Sequence, residues 1–85
     1  MKKIAIFASG EGSNFKAIYN KIINGEIPAE ISIVVSNNSN CGAINFSKNY
    51  TLPTLIINKT RYPNPDTRNI ILKKNLIKAE VDLIC

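Results

Sequence analysis

Four short apolar runs, each almost uninterrupted, recur along this chain: Lys3 to Ala8 (KIAIFA), Ile31 to Val35 (ISIVV), Pro53 to Ile57 (PTLII) and Val81 to Cys85 (VDLIC). A strand with one wet face alternates apolar and polar residues, whereas a strand covered on both faces reads as a continuous run. The segments between the runs have a different period. Phe15, Ile18, Tyr19, Ile22 and Ile23 recur at helical spacing, and Asn24-Gly25 supplies a stop. A shorter helix is expected over Gly42 to Asn49, with Ala43, Ile44 and Phe46 as its apolar residues. Asn64-Pro65-Asp66 reads as a helix start, with a capping Asn, a proline at the first helical position and an acid in the first turn. That helix runs on through Ile70, Ile71, Leu72, Leu76 and Ile77.

The order is βαβαβαβ. Strands joined by helical crossovers lie parallel, and such sheets are covered on both faces. The expected fold class is therefore α/β, a Rossmann-like open parallel sheet with an internal first strand, ending after the fourth strand. No repeat, linker or low-complexity segment divides residues 1–85, and 85 residues suffice for one small domain.

Composition narrows the function classes. At 45% hydrophobic and 20% charged the chain is globular. No apolar run approaches the roughly 18 residues that span a bilayer. The first run ends at Ser9-Gly10, too short for the h-region of a signal peptide, so it reads as a strand. The net charge of +5, from 11 basic and 6 acidic residues, is spread along the chain. A nucleic-acid surface needs clustered cations with interleaved aromatics, and neither is visible, although a bias toward anionic small ligands is compatible with the charge. Cys41 and Cys85 make no disulfide framework. Free thiols and a cytoplasmic location are expected. No histidine occurs, which removes the commonest general base and the commonest metal ligand.

In open α/β sheets ligands bind beyond the carboxyl ends of the strands. The segments there are Ser9 to Asn14, Ser36 to Asn40 and Asn58 to Arg68. The first is the most informative. A Gly-x-Gly turn lets the backbone approach an anion closely, and the helix that follows aims its free N–H groups and positive dipole end at it. Ser13 and Asn14 add side-chain donors. The alternative is a plain strand-to-helix turn with a capping Ser. Gly10-Glu11-Gly12 begins like a dinucleotide fingerprint, but Phe15 stands in the third glycine's place, and the second strand ends Val35-Ser36-Asn37 with no acid for a ribose diol. No Gly-Lys-Ser/Thr follows. A phosphate monoester suits the loop better than a dinucleotide or a nucleoside triphosphate.

Ser9-Gly10-Glu11-Gly12-Ser13-Asn14 resembles the Ser-Gly-x-Gly-Ser-Asn signature of phosphoribosylglycinamide formyltransferases, which transfer a formyl group from 10-formyltetrahydrofolate to the amine of glycinamide ribonucleotide in purine biosynthesis. Val35-Ser36-Asn37 is similar to the end of that family's second strand, and Asp66-Thr67-Arg68 to its Asp-Ser-Arg element. The resemblance runs over the whole chain. It implies that Gly12, Ser13 and Asn14 hold the substrate phosphate and that Arg68 lies on the folate side, the other reading of Arg68 being a surface arginine in a first helical turn. Cys41 reads as a small residue near a helix start, and Asn37 and Asn40 as turn and cap residues.

The resemblance also implies what is missing. The family's Asn-x-His-Pro-Ser stretch and a later Asp, which polarise the formyl group and manage protons, have no counterpart before Cys85. Residues 1–85 are therefore expected to be the N-terminal phosphate-binding part of a formyltransferase domain, with the catalytic part absent and no catalytic residue in the chain. No metal, nucleic acid or membrane partner is implied. The alternatives are a non-catalytic phosphate-binding remnant, a subunit completed by a second chain carrying the missing half, or another folate-dependent formyltransferase of the same fold.

Overall fold

The computed structural model describes residues 1–8 and 10–85. In chain order the elements are β1 (Lys2–Phe7), α1 (Ser13–Ile23), β2 (Ala29–Ser36), α2 (Gly42–Asn49), β3 (Thr54–Ile56), α3 (Pro65–Lys78) and β4 (Leu83–Ile84). The strands form one sheet in the order β3-β2-β1-β4, every pairing parallel. The α/β class, the βαβαβαβ order and the internal place of β1 match the sequence reading. Two strands are shorter than their apolar runs. Pro53 has no N–H to give a ladder and offers only its carbonyl, which accepts from Val34 N–H at 2.8 Å. Val81 turns away from β4 to pack beneath α3.

The faces of the sheet are covered unequally. Ile4, Ile6, Val34 and Ile56 pack with Phe15 of α1 and Ile44 of α2, the last two almost wholly buried. On the other face Ala5, Ile33 and Val35 meet Leu72 and Leu76 of α3. No residue of α3 is fully buried, and Ile70 and Ile77 stay exposed. The near-continuous apolar strands are thus explained: successive residues serve opposite covered faces.

One irregularity decides which isoleucine goes where. Ile4 pairs with Ile31, but Ala5 pairs with Ile33, so Ser32 is an extra residue in β2. Side chains alternate with period two, so Ile31 and Ile33 would otherwise share a face. The bulge sends Ile31 toward α1 and α2, and Ile33 toward α3. The Ser32 hydroxyl donates to the carbonyl of Ile4 at 3.4 Å.

The helix starts follow local chemistry. Asn64 caps α3, its Oδ1 accepting from Asp66 N–H at 2.8 Å, with Pro65 in the first position. Gly25, just past α1, has φ +80°. The ends of α2 and α3 carry Thr51 (φ 58°) and Glu80 (φ 57°) in the same left-handed region. Leu52 N–H then reaches Ser47 O at 2.9 Å, and Val81 N–H reaches Leu76 O at 3.2 Å, closing both helices as glycine usually does.

Candidate functional site

The strand order places the site. β1, β2 and β3 are laid down in one direction, and α3 then carries the chain back so that β4 lies on the other side of β1. The carboxyl ends of β1 and β4 therefore flank a topological switch point, where open α/β sheets bind ligands. A groove of about 370 Å³ lies there, lined by Phe7 and Ala8, the Gly10–Asn14 turn and Cys85. Gly12, Ser13 and Asn14, read from the sequence as one group, all border it. Ser9, the first residue of the signature, lies outside the described residues.

Gly12 is the N-cap of α1 and adopts the left-handed conformation (φ 75°, ψ 37°), which L side chains rarely take. The first helical bond runs from Lys16 N–H to Gly12 O at 2.8 Å. The N–H groups of Ser13, Asn14 and Phe15 precede it and have no acceptor one turn back within the helix. Among the described residues no side chain caps this end, and no acid stands in the first turn. The positive end of the helix dipole opens onto the groove, with exposed Ser13 and Asn14 at its mouth. The cap is Gly12, and Ser13 is the first helical residue.

The start of α2 presses on the same turn. Ala43 N–H donates to Gly10 O at 3.2 Å. Cys41 is the N-cap of α2 and is buried, its Sγ 3.4 Å from the Ser36 hydroxyl. Burial favours the neutral thiol, but the Ser36 hydroxyl and the backbone N–H groups at the start of α2 favour the thiolate and outweigh it, so the Cys41 pKa lies below the ordinary thiol value. Its setting is that of a small packed residue at a helix start.

Arg68 stands elsewhere. It lies in α3, on the opposite face from α1, and does not border the groove of Gly12 to Asn14. Its Nη1 donates to the carbonyls of Tyr62 (2.9 Å) and Pro63 (3.2 Å), so it folds the 58–64 loop back onto α3. A second groove, of about 310 Å³ and mostly apolar, opens nearby between Phe7, Val35, Ile57 and Leu72, with Ser36 and Asn37 at its rim. Asn58, given no role from the sequence, links the two loops at that end: its Nδ2 donates to Asn37 O at 3.1 Å and its Oδ1 accepts from Arg61 N–H at 2.7 Å. An Asn just after a β-strand was the available signal, because Asn can donate and accept at once. Among the described residues no helix is long and apolar enough to cross a membrane, and no three His, Cys, Asp or Glu side chains gather to hold a metal ion.

A family model described as formyl transferase matches residues 2–85. The chain belongs to the formyl transferase family. A protein of Vigna unguiculata named phosphoribosylglycinamide formyltransferase, chloroplastic, is 31% identical over 83 residues, covering 98% of this chain and 27% of that protein. Phosphoribosylglycinamide formyltransferase of Haemophilus influenzae is 31% identical over 84 residues, covering 99% of this chain and 40% of that one. Among solved structures, phosphoribosylglycinamide formyltransferase from Bacillus halodurans superposes with a TM-score of 0.89 at 25% identity, over 98% of this chain and 43% of that one. Glycinamide ribonucleotide transformylase 1 from Geobacillus kaustophilus does so with 0.87 at 29%, over 99% and 45%. This formyl transferase chain thus spans less than half the length of these relatives.

Proposed function

We propose that residues 1–85 are the N-terminal, phosphate-anchoring part of a phosphoribosylglycinamide formyltransferase, acting in purine biosynthesis. The observation that carries this reading is the turn at Gly12, which leaves three N–H groups at the open end of α1, at the β1/β4 switch point. The reaction is transfer of the formyl group of 10-formyltetrahydrofolate to the amine of glycinamide ribonucleotide. The amine attacks the formyl carbon, a tetrahedral intermediate forms, and its collapse releases tetrahydrofolate; no covalent enzyme intermediate is needed.

The roles of this chain are positional. Gly12, Ser13 and Asn14 hold the phosphate, far from the bond being made, and so help fix the amine against the formyl donor. Arg68 supports the folate side by ordering the 58–64 loop, with which it bonds. Formyl transfer also needs donors aimed at the developing oxyanion and a group to take the amine's proton. These belong to a portion beyond the 85 residues, supplied by the same polypeptide or by a complementing chain. The outer edge of β4 supports such a complement, because β4 ends the sheet and Leu83 and Ile84 are both more than half exposed.

The experiment supplies the 85-residue chain with both substrates, alone and with the remainder of the Haemophilus influenzae relative as a separate polypeptide. The expected result is no turnover by the chain alone, turnover by the pair, and a raised KM for glycinamide ribonucleotide in the Ser13→Ala, Asn14→Ala double variant. Turnover by the chain alone, or an unchanged KM in the double variant, would contradict this reading.

A further inference from the structure

We infer that Gly42, on α2 and outside the phosphate turn, is a positioning residue for that turn: the close contact it allows sets where the N–H groups of Ser13 and Asn14 point. The inference deepens the phosphate reading proposed above and rests on it for the ligand.

The contact is reciprocal. A Cβ built at Gly12 would stand 2.8 Å from the Cβ of Ala43 and 3.2 Å from its Cα. A Cβ built at Gly42 would stand 3.0 Å from the Cα of Glu11 and 3.1 Å from its carbonyl oxygen. Each glycine therefore lies against the neighbour of the other, and the turn meets the start of α2 with no room for another carbon. Between these contacts Ala43 N–H donates to Gly10 O. In a trans peptide the carbonyl and the next N–H point in opposite directions. Holding the Gly10 carbonyl against α2 therefore directs the Glu11 N–H away from α2.

Two helix starts meet at this turn and do different work. At the start of α2, the Ala43 donor is engaged by the turn's own carbonyl. At α1, the first donors have no partner within the helix. Gly42 has no conformational reason to be glycine, since its φ is not in the left-handed region. Glycine also weakens a helix relative to Ala. Close approach to Glu11 is the reason the structure offers. The atoms a side chain would meet there are backbone, so Gly42→Ala must move the turn or α2 by a few tenths of an ångström. Hydrogen bonds to an anion are sensitive to such shifts in distance and angle.

The control is Gly25, which has φ +80° but open space where a Cβ would go. Gly25→Ala strains the backbone without touching the turn. The experiment compares Gly42→Ala, Gly25→Ala and the unaltered 85-residue chain by thermal melting, by amide NMR spectra, and by titration with glycinamide ribonucleotide and with inorganic phosphate. Gly42→Ala is expected to shift the Ser13 and Asn14 amide resonances before ligand is added and to weaken binding at least tenfold. Gly25→Ala is expected to lower Tm with binding within twofold of the unaltered chain. If Gly42→Ala fails to fold, Ala43→Gly removes the methyl wall beside Gly12 without adding an atom, and is expected to weaken binding several-fold. Unmoved Ser13 and Asn14 resonances, or binding within twofold in a folded Gly42→Ala or Ala43→Gly chain, would overturn the inference. Absence of binding by the unaltered chain would instead count against the phosphate reading, while the ligand-free amide shifts still decide the role of Gly42.

Discussion

Asn58 donates through Nδ2 to the carbonyl of Asn37 at 3.1 Å, joining the loop after β3 to the loop after β2 across 21 residues of sequence. The same side chain accepts from Arg61 N–H, and Arg68 closes the other end of the 58–64 segment through Tyr62 and Pro63. Asn58→Ala removes both Asn58 bonds and is expected to cost about 1–2 kcal/mol, since a hydrogen bond contributes about 0.5–1.5 kcal/mol net. Asn58→Asp keeps the acceptor for Arg61 but sets a carboxylate oxygen against the Asn37 carbonyl, so it is expected to cost at least as much. Urea titration of the two variants checks both values and their order.

Thr51 places a β-branched side chain at φ 58°. The left-handed region costs an L residue about 1–2 kcal/mol, and glycine returns about 0.4–1 kcal/mol of that through its freer unfolded state. Thr51→Gly is therefore expected to stabilise the fold by about 0.5–1 kcal/mol. Glu80→Gly at φ 57° is expected to gain less, because Glu80 also pairs with Lys3 at 3.5 Å. Thermal melts that show both changes destabilising would contradict the closing roles assigned to these residues.

These two helix ends mark the limit of what the sequence displayed. The end of α1 was legible because Gly25 occupies the left-handed position, whereas Thr51 and Glu80 do the same work with residues that seldom do it. The four apolar runs revealed the covered parallel sheet, but the Ser32 bulge was hidden, because Ile31 and Ile33 look equivalent until pairing puts them on opposite faces. At the site, Gly12 to Asn14 were legible as a group because glycine, hydroxyl and amide donors stand together at a strand-to-helix turn. Gly42 was not, because its partner Glu11 is 31 residues distant and only the packing of α2 brings them together. Arg68 was legible as a residue near a helix start, but its carbonyl partners follow from how the chain turns between Tyr62 and Asn64.

Ile44 is 1% exposed beneath α2, and Ile77 is 77% exposed on α3. Ile44→Ala is expected to cost about 2–5 kcal/mol, the range for large-to-Ala changes in a packed core. That is a large fraction of the roughly 5–15 kcal/mol that holds a domain together, so the variant is expected to melt well below the unaltered chain. Ile77→Ala is expected to lie within about 0.5 kcal/mol of the unaltered chain. Circular dichroism melts of the pair check the contrast.

β4 lies at the edge of the sheet with Leu83 54% and Ile84 56% exposed. An open apolar edge pairs readily with other chains, and a lysine there opposes it. The 85-residue chain is expected to self-associate when concentrated, and Ile84→Lys is expected to shift it toward monomer. Sedimentation velocity checks this, and a monodisperse monomer for the unaltered chain would contradict it.

The most direct test of the account is the contribution of the phosphate to binding at Gly12, Ser13 and Asn14. Amide NMR titration of the chain with glycinamide ribonucleotide, and in parallel with the same molecule lacking its phosphate, reads affinity and location together. Charge-assisted hydrogen bonds contribute about 1.5–3 kcal/mol each, and every 1.4 kcal/mol is about tenfold in affinity. The account predicts binding at least about 10-fold tighter with the phosphate than without it, with the largest shifts at the Ser13, Asn14 and Phe15 amides. Equal affinity for the two compounds, or shifts that leave those three amides unmoved, would contradict it.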